Sequence, residues 1–146
     1  MNTRMLTVTG LILAVSSVGV YADEFSMLPD AKMLPKCAVK ISEVVPAMGE
    51  HWADPKDLPL GPLYCVHNGK IICIEYMISQ ADLQAGKSWP ELVGLKDLPP
   101  INHVNMGFEP NGHEGYEVPH YDMHIYFVSP DALKTIKPVE KAATAP

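Results

Sequence analysis

Hydrophobic residues in this chain come in short blocks separated by proline, glycine and asparagine. Five blocks contain β-branched or alternating apolar residues and predict strands over residues 38–45, 63–67, 70–78, 101–108 and 118–128. Asn68 and Gly69 lie between the second and third blocks and are a strong signal for a β-hairpin. The chain is therefore expected to form short antiparallel strands joined by turns.

Short helices and one long loop are expected between these strands. Ser79 and Ser129 are suitable N-caps for helices that end near residues 84 and 136, and residues 88–91 resemble a further helix start. Residues 48–62 predict a long loop because they hold three prolines and two glycines. Together the elements predict an α+β, β-rich fold, with a small antiparallel sheet rolled or closed into a barrel-like domain with two or three short helices.

The strand over residues 118–128 carries the clearest functional signal, because alternate residues of a strand share one face. One face is apolar and carries Tyr121, Met123, Ile125 and Phe127. The other face carries His120, Asp122, His124 and Tyr126. Four groups that can hydrogen-bond or bind metal are unusual for an idle solvent face, which more often shows Lys, Glu and Thr. The pattern predicts that this face lines a pocket.

Strand geometry limits which of these residues can share one metal ion. Residues two apart on a strand are separated by about 6.6 Å, whereas His120 and His124 are separated by about 13 Å. Metal–nitrogen bonds of about 2.1 Å require the imidazoles to converge on one point. Either His120 with Asp122, or Asp122 with His124, can therefore chelate an ion. All three can do so only if the strand bends strongly.

Further metal ligands are expected from other parts of the chain. Glu75 is the leading carboxylate because it interrupts an apolar strand, with a solvent-exposed edge strand as the alternative. His103 lies opposite the apolar face of its strand, while His51 and His113 lie in loops that could close over the pocket. For each of these histidines, a structural hydrogen-bonding role is an equal alternative. His67, beside the hairpin turn, is expected to be exposed.

Composition and charge exclude several classes of function. The chain has 146 residues, 47% of them hydrophobic, with a formal net charge of −6, so it fits one globular domain and lacks the basic patches that bind nucleic acid. The sequence contains no zincin, Gly-x-Ser-x-Gly, phosphate-loop or dinucleotide-binding motif. Hydrolase and nucleotide chemistry therefore have no support, and the six histidines remain the main functional signal.

The N-terminal segment has the pattern of a secretory signal. Residues 1–22 hold a short cationic start and an apolar stretch too short to span a bilayer. They end in Val20-Tyr21-Ala22, which puts small residues at −3 and −1 before Asp23, as signal peptidase requires. The expected organisation is a signal peptide over 1–22, an irregular lead-in over 23–36, one domain over 37–137 and a flexible tail over 138–146. We therefore expect a periplasmic or secreted protein that is free of the membrane after signal cleavage.

Three cysteines allow at most one internal disulfide in an exported protein. A two-residue turn at Asn68 and Gly69 directs Cys65 and Cys73 to different positions across the hairpin. A loop bulged at Gly69 would instead set these two cysteines opposite each other, close enough to bond. The sequence leaves the register open, and three buried thiols, including that of Cys37, are the alternative.

Five motifs together resemble a family of small exported bacterial proteins of unassigned function. Its type member is a thermophile protein under extracytoplasmic sigma-factor control. The motifs are GEHW at 49–52, GPLY at 61–64, IEYM at 74–77, GHEGY at 112–116 and PHYDMHIY at 119–126. The resemblance implies a β-rich exported domain with a capacity to oligomerise. The last motif is also similar to a cupin strand but lacks the His-x-His of the first cupin motif, so it implies no oxygenase activity.

Three hypotheses follow. The first is an exported domain that binds a divalent transition metal (Zn, Cu or Fe) through Asp122 with one or both of His120 and His124. The groups that could complete its site are Glu75, His103, His51 and His113. The second is a non-enzymatic envelope-stress or assembly protein whose polar face is a hydrogen-bond network or subunit contact. The third is a metal-free binder of a small molecule, with walls formed by Trp52, Tyr76 and Tyr126. Catalysis and homo-oligomerisation stay open.

Overall fold

The six strands of the chain form one antiparallel sheet, seen in a computed structural model that describes residues 24–138. They are β1 (Val39–Val45), β2 (Gly49–Ala53), β3 (Leu63–His67), β4 (Lys70–Ser79), β5 (His103–Glu109) and β6 (His120–Tyr126). Their order in the sheet is β1-β2-β3-β4-β6-β5. Over the described residues β1 and β5 are the two edges, so the sheet is curled and open. The predicted β-rich α+β fold is confirmed, but without closure into a barrel.

Strand β2 lies inside the segment predicted to be a long loop, so that prediction is wrong for residues 49–53. Gly49, His51 and Ala53 are buried, and the residues between them are half-buried. None of the five residues is β-branched, which is why local propensity gives no strand signal. The strand forms because its backbone pairs with β1 on one side and with β3 on the other.

The hairpin between β3 and β4 turns at Asn68 and Gly69, as the sequence predicts. Both residues have positive φ, 49° and 73°, as a two-residue turn of this type requires. His67, on the last position of β3, is half-buried and meets Phe25 edge-on, with ring centroids 5.1 Å apart. The expectation that His67 is exposed is therefore wrong.

A bulge in β4 decides the cysteine pairing. Val66 pairs with Ile71 and Cys65 pairs with Cys73, which leaves Ile72 as the extra residue. The bulge thus lies within the strand and not at Gly69, where the sequence alternative places it. It sets Cys65 directly opposite Cys73, and the two form a disulfide.

Two of the three expected helices are present. They are α1 (Gln80–Gln84) and α2 (Pro130–Leu133), and each has the predicted serine, Ser79 or Ser129, as its N-cap. The second helix ends earlier than residue 136. Residues 88–91 are not helical. Pro90 and the nearby Gly86 and Gly94 oppose helix propagation there.

The convex face of the sheet is covered by chain segments, whereas the concave face is covered only in part, where Leu58 and Tyr116 pack against a small apolar cluster. The segment around Gly94 packs on Ile74 and Tyr76, whose hydroxyl donates a 2.7 Å hydrogen bond to the carbonyl of Val93. The C-terminal part of the domain, through Ile136, completes this apolar core. The concave face carries the polar residues that alternate with the core residues along β2, β4 and β6.

Burial along β6 reverses the usual expectation for a half-buried strand. Its polar residues His120, Asp122 and His124 are buried, whereas the alternating Tyr121, Met123 and Ile125 are only half-buried. On the neighbouring edge strand β5, the residues Val104, Met106 and Phe108 are exposed. The apolar faces of these two strands are therefore less buried than the sequence pattern predicts.

Several expectations concern the ends of the chain. The predicted signal peptide, 1–22, lies outside the described residues, as does the predicted tail after residue 138. Cys37 is exposed and is not in a disulfide. In the part of the chain from 24 to 138, no helix has the length and apolar character needed to cross a membrane.

Candidate metal centre

Cross-strand register brings polar side chains from all six strands onto the concave face. Paired residues of antiparallel neighbours project to the same side of the sheet. One row of such pairs crosses the whole sheet and consists of Ser42, His51, Cys65, Cys73, Tyr126 and His103. The adjacent row includes Glu75 opposite His124. The sheet therefore gathers residues that are distant in sequence into one surface.

This surface borders a cavity of about 840 Å³. Its walls come from both edges of the curled sheet, with Lys40 on β1 and Glu109 on β5. The carboxylates of Glu75 and Asp122 and the imidazoles of His51 and His113 also line it. The cavity thus contains two groups of potential metal ligands.

The first group, here named the outer cluster, consists of His113, His120 and Asp122. Nε2 of His120 lies 3.1 Å from Nε2 of His113 and 3.0 Å from Oδ1 of Asp122. Nε2 of His113 lies 3.7 Å from Oδ2 of Asp122. Ligand atoms around a tetrahedral zinc ion with bonds of about 2.0–2.1 Å are about 3.3 Å apart. The three side chains therefore have the spacing of ligands around one ion.

Backbone carbonyls determine which nitrogen of each imidazole in the outer cluster carries a proton. Nδ1 of His120 lies 2.6 Å from the carbonyl oxygen of Val118, and Nδ1 of His113 lies 3.1 Å from that of Glu114. A carbonyl can only accept, so each Nδ1 carries a proton, and in the neutral form of each ring the lone pair is at Nε2. The two lone pairs and the Asp122 carboxylate then face one another. Only a positive charge, from a bound cation or an added proton, makes this arrangement favourable.

The turn after β5 positions His113 over β6. Gly112 has φ of 67°, and a Cβ at this position would collide with the carbonyl oxygen of Tyr116. The amide of Tyr116 donates a 2.9 Å hydrogen bond to the carbonyl of His113, which closes the turn. The ring of Tyr116 also packs against His120, with centroids 4.5 Å apart. A glycine at 112 is thus needed for the tight return of this loop.

The second group, here named the inner cluster, consists of His51, Glu75 and His124, all buried. One carboxylate oxygen of Glu75 lies 3.3 Å from Nε2 of His51, and the other lies 3.4 Å from Nε2 of His124. Nε2 of His124 is buried and has no hydrogen-bond partner among residues 24–138. The edge-strand alternative for Glu75 is therefore wrong, because this residue lies on an interior strand.

Ser42 orients the His51 ring. Its hydroxyl donates to the carbonyl of Glu43 at 3.1 Å and lies 2.9 Å from Nδ1 of His51. When the hydroxyl proton points to Glu43, Nδ1 of His51 is the donor to the Ser42 oxygen. Nε2 of His51, which faces Glu75, then has a lone pair that can bind a metal ion. No sequence pattern marks Ser42 as a site residue, and only its cross-strand pairing with His51 reveals this role.

Burial controls the charges of the inner cluster. Loss of hydration raises the pKa of Glu75 to about 8, with a smaller contribution from the Asp122 carboxylate. Loss of hydration also lowers the pKa of His51 and of His124 to about 4. Both imidazoles are therefore neutral at pH 7, which is the form that binds metal. The pKa of Asp122 in the outer cluster is raised as well, chiefly by burial.

A sulfur atom lies beside the inner cluster. Sγ of Cys65 and a ring nitrogen each of His51 and His124 all lie within 4.8 Å of one another. Cys65 is bonded to Cys73 in the structure. The sequence predicts the cysteines only as a disulfide or as buried thiols, so this proximity is a finding of the tertiary structure.

His103 does not join either cluster. It is half-buried, its Nδ1 lies 3.1 Å from Oδ1 of Asn102, and its ring stacks on Tyr126 at 4.9 Å. Tyr126 in turn stacks on His124 at 5.4 Å. His103 is thus on the concave face, as its strand position predicts, but it is separated from the inner cluster by the tyrosine ring.

The structure divides the seven predicted metal ligands between these positions. His120 and Asp122 lie together, His124 lies with Glu75 and His51, and the separation follows the spacing of residues along a strand.

The three aromatic walls of the small-molecule hypothesis do not share a face. Trp52 and Tyr76 follow His51 and Glu75 directly along their strands and so project to the opposite face from Tyr126, which pairs with Cys73. That wall assignment is therefore wrong.

Comparisons with known proteins identify one similar fold. Searches with protein-family models and against curated proteins find no match. Among solved structures, the hypothetical protein TTHB210 from Thermus thermophilus is similar, with a TM-score of 0.58 and 25% sequence identity. The similarity covers 70% of this chain and 95% of that chain. It supports the fold and leaves the activity to be argued from the site.

Proposed function

We propose that this protein is an exported metal-binding domain that holds one divalent transition-metal ion at the outer cluster. The observation that carries the proposal is the convergence of two Nε2 atoms and the Asp122 carboxylate within 3.0–3.7 Å. Hydrogen bonds to the carbonyls of Val118 and Glu114 orient both imidazoles for this role. A cation at their centre would replace repulsion by three bonds.

The donor set and its exposure define the kind of ion and site. Two imidazoles and one carboxylate suit Zn²⁺, Cu²⁺ or Fe²⁺ better than Mg²⁺ or Ca²⁺. The side chain of His113 is 42% exposed, whereas that of His120 is fully buried. The ion would thus be open to the cavity on the His113 side. An open coordination position there could take water or a small anionic ligand.

Export and family membership belong to the same proposal. The N-terminal pattern of a signal peptide and the Cys65–Cys73 disulfide both fit an oxidising compartment outside the cytoplasm. The fold similarity to the Thermus protein supports membership of the small exported family that the sequence motifs resemble. Neither feature bears on which metal is bound.

Calorimetric titration of the oxidised protein with Zn²⁺ tests the proposal. We expect one ion per chain, with an affinity that falls by more than about 100-fold in Asp122→Asn, because loss of even an outer-shell partner reduces affinity by about 10–100-fold. Glu109→Gln is the matched control, since Glu109 is a carboxylate of the same cavity outside the cluster. The proposal fails if the protein binds no zinc or if the two variants bind it equally well.

Self-association is a second candidate function, favoured by one specific observation. Val104, Met106 and Phe108 are 55%, 53% and 42% exposed on the edge strand β5. An exposed apolar row on a strand edge is typical of a surface that pairs with another chain. Light scattering over a range of concentrations should show a mass above that of the monomer, and Met106→Lys should return it to the monomer. A monomer at every concentration would exclude this function.

A further inference from the structure

The inner cluster and the neighbouring Cys65 together have the composition of a metal site in which the sulfur donor is held in a disulfide. His51 and His124 contribute nitrogens that lie within 4.8 Å of each other and of Sγ of Cys65. Glu75 places one carboxylate oxygen near each imidazole, at 3.3 Å and 3.4 Å. Two nitrogens and one sulfur thus converge as three donors. The Glu75 carboxylate, beside both imidazoles, is the group that can supply the fourth donor of a tetrahedral ion.

We propose that the inner cluster is a second metal site, completed by the thiolate of Cys65 when the Cys65–Cys73 disulfide is reduced. The bound ion and the disulfide are then alternatives, because a sulfur in a disulfide has no thiolate to offer. The proposal goes beyond metal binding at the outer cluster and does not depend on it. The two sites share no ligand.

Reduction of the disulfide needs a dithiol and no other reactant. The dithiol transfers two electrons and two protons to the disulfide, which breaks the bond between Cys65 and Cys73, gives two thiols and leaves the reductant as a cyclic disulfide. A divalent ion then replaces the proton on Cys65, which leaves to solvent. In the reverse direction a cyclic disulfide accepts two electrons, the proton of Cys73 and one proton from solvent, the bond between Cys65 and Cys73 forms again, and the ion is released.

Burial distinguishes this site from the outer cluster. Cys65 is fully buried, and the side chains of Glu75 and His124 are 5% and 4% exposed. An ion there would be enclosed by side chains from β2, β3, β4 and β6. Closed sites with four protein ligands are typical of structural zinc, which stabilises the fold and performs no chemistry. The unpartnered Nε2 of His124 is the atom that such an ion would satisfy.

Two cysteine variants provide a matched test. Cys73→Ser leaves the proposed ligand Cys65 as a free thiol, whereas Cys65→Ser leaves only Cys73, which faces Tyr126 across the next strand pair. Both are made with Cys37→Ser, to remove the exposed thiol, and with His113→Ala, to weaken the outer site. Titration with Co²⁺ should give one ion per chain and a sulfur-to-cobalt charge-transfer band in Cys73→Ser. The same band in Cys65→Ser, or its absence from both folded variants, would overturn the proposal.

The protein with its natural cysteines gives a second measurement if either variant fails to fold. Zinc content is determined after refolding with and without a dithiol, followed by removal of free zinc. The reduced protein should retain one more ion per chain than the oxidised protein, and equal content would refute the second site. Binding by the oxidised protein reports the outer cluster alone. Failure of one site is therefore distinguishable from failure of the other.

Discussion

The outer and inner clusters contain the same types of side chain in different surroundings. Each has two histidines and one carboxylate, and both lie on the concave face of one sheet. The outer cluster depends on a loop residue, His113, whose ring is partly exposed, while every residue of the inner cluster is on a strand and buried. The exposure of one residue, His113, is therefore the difference in burial between the two clusters.

The difference shows how one sheet can support an open site and a closed site. In the outer cluster, carbonyl hydrogen bonds leave two lone pairs beside a carboxylate, and access to the cavity allows an ion to enter. In the inner cluster, lost hydration keeps Glu75 protonated at pH 7, with its pKa raised to about 8. The proton stabilises the inner cluster without metal. The outer cluster requires a bound cation or an added proton for the same purpose.

The largest effect should come from removing a buried imidazole from each cluster. His120→Ala and His51→Ala should each lower the free energy of unfolding by roughly 2–4 kcal/mol, because each leaves a cavity and unpaired polar groups. Only His120→Ala should abolish zinc binding by the oxidised protein. Urea denaturation and calorimetric titration measure the two effects. Equal loss of zinc binding in both variants would mean that the clusters are one site.

A smaller effect should follow from moving His113 without removing it. Gly112→Ala places a Cβ against the carbonyl of Tyr116 and should reduce zinc affinity about 10–100-fold, the range seen when support of a ligand is lost. Gly115→Ala is the control, since its φ is also positive but a Cβ there meets no atom within 4 Å. Calorimetric titration should therefore rank the affinities as unchanged sequence, Gly115→Ala and Gly112→Ala. The reverse order of the two variants would contradict the role of Gly112.

The inner cluster should also make stability depend on pH when metal is removed by a chelator. The pKa of Glu75 is about 8 in the folded state against an ordinary value of 4.5, so the folded state binds more protons between these values and stability falls as pH rises. His51 and His124 have pKa values lowered from 6.5 to about 4, so they act in the opposite direction below pH 6.5. Stability should therefore be highest near pH 6.5.

Above that pH the Glu75 effect outweighs the remaining effect of the two imidazoles, and the net result should be a decrease of about 1 kcal/mol in the free energy of unfolding between pH 6.5 and 8. Urea denaturation at a series of pH values measures the decline. Glu75→Gln should remove it, because glutamine does not titrate. A decline that persists in this variant would assign the effect to other groups.

The smallest effect should come from His103, which lies outside both clusters. His103→Ala removes a ring that stacks on Tyr126 and should lower the free energy of unfolding by about 0.5–1.5 kcal/mol. Zinc affinity and stoichiometry should not change. A loss of zinc would show that His103 reaches a cluster in solution and would contradict its placement outside both clusters.

Local sequence signals predicted the hairpin, the two serine-capped helices and the polar face of β6. These features depend on contacts between near neighbours, such as the turn at Asn68 and Gly69 and the alternation of side chains along a strand. Strand β2 escaped prediction because GEHWA has no β-branched residue and is stabilised by pairing on both sides. The helix expected at 88–91 does not form, because the residues that follow this local start signal do not favour a helix.

The sequence by itself determined that His120, Asp122 and His124 share a face and that all three could bind one ion only if the strand bent strongly, because the spacing along a strand is nearly constant. Only the tertiary structure decided which partners each residue meets. The bulge at Ile72 sets Cys65 opposite Cys73, the curl of the sheet brings His51 to Glu75, and the turn at Gly112 returns His113 to His120. These contacts join residues far apart in the chain, so no local pattern encodes them.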